Sequence, residues 1–118
     1  MIAAYLVYGF YQTYVPRPVL NGTDFFTALL HTVYSSDQPY NAFPSLHAGF
    51  SILAVLSLNR SMPGYKALVV WGILIAVSTV FVKQHYVLDV LGGSLLAAVS
   101  LYLAHSGLSS LKIDQHLD

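Results

Sequence analysis

The chain lacks cysteine and has little charge: five basic and five acidic residues make up 8% of its 118 positions, with a formal net charge of zero. The first absence excludes disulfides and thiolate metal sites and leaves the redox compartment open. The second excludes both the basic footprint of a nucleic-acid binder and an acidic disordered tail, so no nucleic acid is expected as a partner. No basic region precedes the first apolar stretch and no small-residue cleavage site follows it, which makes a secretory signal a poor description of the start. Internal repeats and low-complexity segments are also missing.

What is present is apolar. Hydrophobic residues make up 56% of the chain, in runs broken by short polar loops. This is the composition of one domain, residues 1–118, whose solvent is mostly lipid. Ile2 to Tyr14 reads as helix, ended by Val15-Pro16-Arg17-Pro18, because proline lacks the donor N–H and biases its predecessor away from helical ψ. Asn21-Gly22-Thr23-Asp24 reads as a turn into an N-cap, followed by a short interfacial helix from Phe25 to Tyr34. Ser45 can cap a helix from Leu46 to Leu58. Pro63-Gly64 marks the turn to an uncharged run from Ala67 to Val82, and Gln84 to Ala104 forms the last crossing, with Gly92-Gly93 suited to close helix packing in lipid. Residues 108–118 read as a polar tail.

The fold expected is an all-α integral membrane bundle with about four membrane helices and one interfacial helix. Ile2 to Tyr14 is too short for a ~30 Å hydrocarbon core, which takes about 20 helical residues. That shortness points to a partial chain with helices before Met1; a partner subunit or a re-entrant first segment fits as well. Arg60 and Lys66 lie at the opposite end of the crossings from the histidine-bearing loops. The positive-inside rule then makes the protein multi-pass, with those loops extracytoplasmic and the C-terminus, with Lys112, cytoplasmic.

In such a chain every ionisable side chain near the membrane is a functional-site hypothesis. His85 and Asp89 are four apart, a helical spacing that allows a carboxylate to fix one imidazole tautomer and leave the other nitrogen as base, nucleophile or ligand. The plain alternative is a local hydrogen bond or helix-start cap. Ser45 and His47 open another helix, where exposed N–H groups favour an anion; alternatively Ser45 is only a cap and His47 an interfacial imidazole. Arg17, between prolines, carries a guanidinium fork suited to phosphate. With Lys83 these residues make a kit for phosphoryl transfer. A different class of reading makes His47 and His85 axial haem ligands.

The order Arg17-Pro18, then Pro44-Ser45-Leu46-His47, then Ser78-Thr79 followed by His85 and Asp89, resembles the type 2 phosphatidic acid phosphatase superfamily. Its pattern is K-x6-R-P, P-S-G-H and S-R-x5-H-x3-D. The resemblance covers roughly residues 14–93. Phe10, Leu46 and Thr79 stand where that pattern has lysine, glycine and arginine, so two phosphate-binding cations are missing; Lys83, one turn past Thr79, is a candidate replacement. The Pro-Ser-Leu-His and His-Tyr-x-x-Asp forms resemble the subgroup that includes inositol phosphorylceramide synthases.

The resemblance implies a helical membrane bundle, usually of six helices, acting on a lipid phosphate or diphosphate at the outer face without metal or other cofactor. His85 would form a phosphohistidine, Asp89 would orient it, and His47 would be the general acid. Arg17, Ser45, Lys83 and Thr79 are the candidate phosphate-binding set. Hydrolysis is the first expectation. Headgroup transfer to an alcohol acceptor is the second, and an inactive homologue the third. Oligomeric state leaves no trace in the sequence.

Overall fold

The computed structural model describes the backbone of residues 2–114 and side chains as far as Gly107. The described residues form five helices: α1 (Ile2–Phe10), α2 (Phe25–Ser36), α3 (Leu46–Ser57), α4 (Tyr65–Phe81) and α5 (Val87–Asp114). The all-helical expectation holds among the described residues, which include a single isolated β-bridge, Tyr14 with Tyr40.

That bridge explains the main boundary difference. α1 ends at Phe10, four residues before the expected Tyr14, because the following segment hydrogen-bonds elsewhere. The Val15 N–H donates to the Pro39 carbonyl at 3.0 Å, and Thr13 Oγ1 accepts the Phe43 N–H at 2.7 Å. An extended pairing with residues 39–43 thus replaces the last helical turn. α2 begins where the Asx cap predicts, with Asp24 Oδ2 accepting the N–H groups of Phe26 and Thr27 at 3.0 and 3.2 Å. Its Phe25, Phe26 and Leu29 are exposed. α5 continues through residue 114, where a polar tail was expected from residue 108; residues 115–118 lie outside the described part.

α3 packs against both α4 and α5 and is the centre of the molecule. Its seams are built from small residues: Ala48 and Gly49 on α3, Gly72 and Ala76 on α4, Gly93 and Ala97 on α5, all buried. Phe50, Trp71, Leu74, Phe81, Leu91, Leu95 and Tyr102 point outward and are exposed. Small residues inside and large apolar ones outside invert the soluble pattern and suit packing in lipid, where backbones gain by close approach. A Cβ at Gly93 would run into the Ser45 carbonyl oxygen, and one at Gly72 would lie 2.5 Å from Val55 Cγ2.

Val87–Gly107 of α5 is long and apolar enough to cross a membrane, which supports membrane association. α3 and α4 are apolar but shorter, 12 and 17 residues, or roughly 18 and 26 Å against a ~30 Å core. α1 has nine residues. Of the four crossings expected, one thus has full length.

Candidate active site

Three turns bring the site together. α4 ends in a Schellman motif: the Lys83 N–H bonds to the Val80 carbonyl at 3.1 Å, and the Gln84 N–H to the Thr79 carbonyl at 2.9 Å. Lys83 stands at the left-handed position of this motif, with φ 56°, where glycine is the usual residue. The reversal places His85 in the loop two residues before α5, not on the helix itself. α5 then starts with the Asp89 carboxylate reaching back to the Tyr86 N–H at 2.7 Å, one half of a capping box. The Ser45 N–H donates to the Asp89 carbonyl at 2.9 Å, tying the start of α3 to the start of α5. Gly93, one turn further, lets the two backbones approach.

This linkage sets His47 against His85, with Nδ1 of the first 3.4 Å from Nε2 of the second. His85 Nδ1 lies 2.9 Å from the Ala42 carbonyl oxygen, which can only accept, so Nδ1 carries the proton and Nε2 the lone pair. The sequence reading assigned this orienting contact to Asp89. Asp89 Oδ2 is 3.8 Å from His85 Nδ1, beyond a hydrogen bond, and its strongest contact is the helix cap. Asp89 therefore stands beside the imidazole without a hydrogen bond to it. His85 and Asp89 are both buried. Burial first, and His47 second, push the His85 pKa below the ordinary 6.5, while Asp89 and the Ala42 carbonyl pull it back up in part.

Arg17 is held from several directions, its side chain nine-tenths buried. Nη1 donates to the Tyr34 carbonyl at 2.9 Å and also to the Asp37 carbonyl. Nη2 pairs with Asp37 Oδ2 at 3.3 Å, and the guanidinium stacks 4.7 Å over the Tyr34 ring. Arg17 Nε is buried without a partner. Asp37 Oδ2 also accepts from Gln84 Nε2 at 2.9 Å, which couples the arginine to the residue beside His85.

Two cavities meet at His85. One, about 460 Å³, is lined by Arg17, Lys83 and His85 together with apolar residues. The other, about 350 Å³, is lined by His47, His85, Asp37, Asn41 and Gln84 among others. The structure thus gathers His85, His47, Arg17 and Lys83 around open space. Ser45 and Thr79 line neither cavity. Ser45 is buried and its Oγ accepts the Ala48 N–H at 3.3 Å as the α3 cap. The Thr79 hydroxyl is buried and donates to the Ala76 carbonyl of its own helix. Ala42, Asp37, Asn41 and Gln84 escaped the sequence reading. Asp37 alone had a signal there, as a carboxylate in a chain with so few.

With this geometry in place, comparison with known proteins identifies the class. The family model of the PAP2 superfamily matches residues 3–103, and the chain belongs to that superfamily. It is similar to the inositol phosphorylceramide synthase catalytic subunit aur1 of Schizosaccharomyces pombe, 33% identical over an alignment of 85 residues, with 67% of this chain and 19% of that one covered. It is also similar to the inositol phosphorylceramide synthase of Candida albicans, 37% identical over 59 residues, 49% of this chain and 12% of that protein. The chain spans less than a fifth of the length of these relatives. No solved structure matches it.

Proposed function

We propose that the chain carries out phosphoryl transfer on a lipid phosphate ester through a phosphohistidine at His85. The observation that carries this reading is the fixed tautomer: Nδ1–H is held by the Ala42 carbonyl and Nε2 is left bare, facing His47. His85 Nε2 attacks phosphorus, and His47 protonates the departing oxygen and later takes a proton from the acceptor. Arg17 and Lys83 offset charge on the phosphoryl oxygens from the cavity they share with His85. Asp89 stabilises the imidazolium-like charge that develops on His85. Ser45 and Thr79, expected as phosphate ligands, serve this reading as positioning residues through their backbone bonds.

Hydrolysis was the first expectation from sequence. Two relatives named as synthases favour the transferase form, in which an alcohol in place of water attacks the phosphohistidine. Family membership leaves the haem reading without support. A single domain with its site on the extracytoplasmic side of a multi-pass protein fits the placement of Arg60 on the loop between α3 and α4 and of Lys66 in the first turn of α4, away from the histidines.

Labelling with a phosphate-labelled lipid and quenching in alkali tests the reading. An acid-labile, alkali-stable protein adduct that disappears in His85→Ala, with turnover reduced about a thousandfold or more, is the expected result. Wild-type turnover no higher than background would mean an inactive homologue, and equal turnover above background in His85→Ala would remove His85 as nucleophile.

A further inference from the structure

Resting on the phosphoryl-transfer reading and adding to its machinery, we propose that Tyr34 and Asp37, at the C-terminal end of α2, are positioning residues that hold Arg17 and Lys83 in one register for a phosphate.

Neither cation is placed by a helix of its own. Arg17 lies in the stretch between α1 and α2, and Lys83 in the turn between α4 and α5. Both border the same cavity of about 460 Å³. A phosphate spreads its charge over several oxygens, so two cations bind it well only at a separation that lets both reach it. Something must fix that separation across two irregular segments far apart in sequence.

The end of α2 grips both segments. Tyr34 gives its carbonyl to Arg17 Nη1 at 2.9 Å and its ring to the guanidinium at 4.7 Å, while its hydroxyl donates to the Val82 carbonyl at 2.8 Å. Asp37, the C-cap of α2, takes Arg17 Nη2 at 3.3 Å and Gln84 Nε2 at 2.9 Å on the same carboxylate oxygen. Val82 and Gln84 flank Lys83, so these two bonds hold the turn on either side of the lysine. Helix packing does not supply the link: among the described residues the main helix seams join α3, α4 and α5. The bracket also leaves binding capacity in the guanidinium. Of its five N–H groups, Nη1 uses two and Nη2 one, and the Nη2 contact is longer than the roughly 2.7–2.9 Å of a tight charge-assisted bond. Arg17 is therefore held in place without being saturated.

A phosphorus NMR titration of the full chain in detergent with inorganic phosphate reads the cation pair without turnover. Tyr34→Phe keeps the ring and the carbonyl on Arg17 and removes only the bond to Val82, and Gln84→Met removes the bond on the other side of Lys83. Each should weaken phosphate binding about three- to tenfold, the range for one lost hydrogen bond. In a Lys83→Gln chain neither should weaken it further, because the ammonium they position is gone. In turnover of a lipid phosphate, the loss should fall on KM and spare kcat. Unchanged phosphate affinity in Tyr34→Phe overturns the proposal, whether or not the melting temperature drops, and so do equal losses with and without the Lys83 ammonium. The same coupling in a chain that forms no phosphoprotein adduct supports the bracket and counts against the phosphohistidine reading alone.

Discussion

His47 Nδ1 and His85 Nε2 lie 3.4 Å apart, and the second nitrogen is the one left without a proton. The contact is longer than an ordinary N–H···N bond, so it orients the pair without locking it. His47 is exposed, while His85 is buried and held in its loop by the Ala42 carbonyl on its opposite nitrogen. On the proposed function, a fixed nucleophile facing an exposed acid suits a phosphoryl group entering between them.

The pH dependence follows from His85. Its lowered pKa keeps Nε2 neutral below the ordinary imidazole range, so the acid limb of kcat/KM should have its midpoint below 6.5. In His47→Gln, NMR titration of His85 should give a value closer to the ordinary one, since His47 is the second cause of the depression. Stability carries the same sign. Below about pH 6.5 the unfolded chain takes up a proton that folded His85 resists, so thermal stability should fall on acidification and fall less in His85→Gln. Unchanged slopes in that variant would remove the assignment.

Lys83→Gly separates backbone from charge. The left-handed position costs a lysine roughly 1 kcal/mol that glycine does not incur. The variant should melt higher, yet bind a lipid phosphate more weakly because one of two cations is gone from the cavity. Lower stability together with unchanged KM would contradict both halves.

Arg17→Lys should raise KM for the lipid phosphate about tenfold and lower the melting temperature. Lysine cannot span the Tyr34 and Asp37 carbonyls, pair with Asp37 and stack on Tyr34 at once. Steady-state kinetics in mixed micelles would show the KM effect, and kinetics identical to wild type would show that the fork is dispensable.

Gly93→Ala probes the α3–α5 seam. Its Cβ would collide with the Ser45 carbonyl oxygen and sit 3.1 Å from Gly49 N, both backbone atoms that cannot turn aside. A loss of about 1–3 kcal/mol or more is expected in detergent unfolding. Gly9→Ala, with open space around the new methyl, should be neutral or stabilising.

Much of the secondary structure was legible from single residues. Asp24 and Ser45 cap α2 and α3 as read, and Gly64 opens α4. The histidine pair was legible because polar residues are scarce. The end of α1 was not, since the pairing of Val15 with Pro39 depends on residues far along the chain. Nor was the orienting partner of His85. Helical spacing pointed to Asp89, but His85 precedes the helix, and the acceptor is a backbone carbonyl that every residue possesses.

By itself the sequence determined composition, helix-forming segments, the order of the motifs and the family they belong to, all properties carried by local chemistry and spacing. Only the tertiary structure decided which groups meet. It brought Arg17 and Lys83 into a cavity with His85, left buried Ser45 and Thr79 outside that lining, and made Ala42 and Asp37 partners of candidate site residues. The reason is that hydrogen-bond partners in a packed interior are chosen by the approach of backbones, here at Gly93 and the left-handed turn at Lys83, which no local pattern encodes.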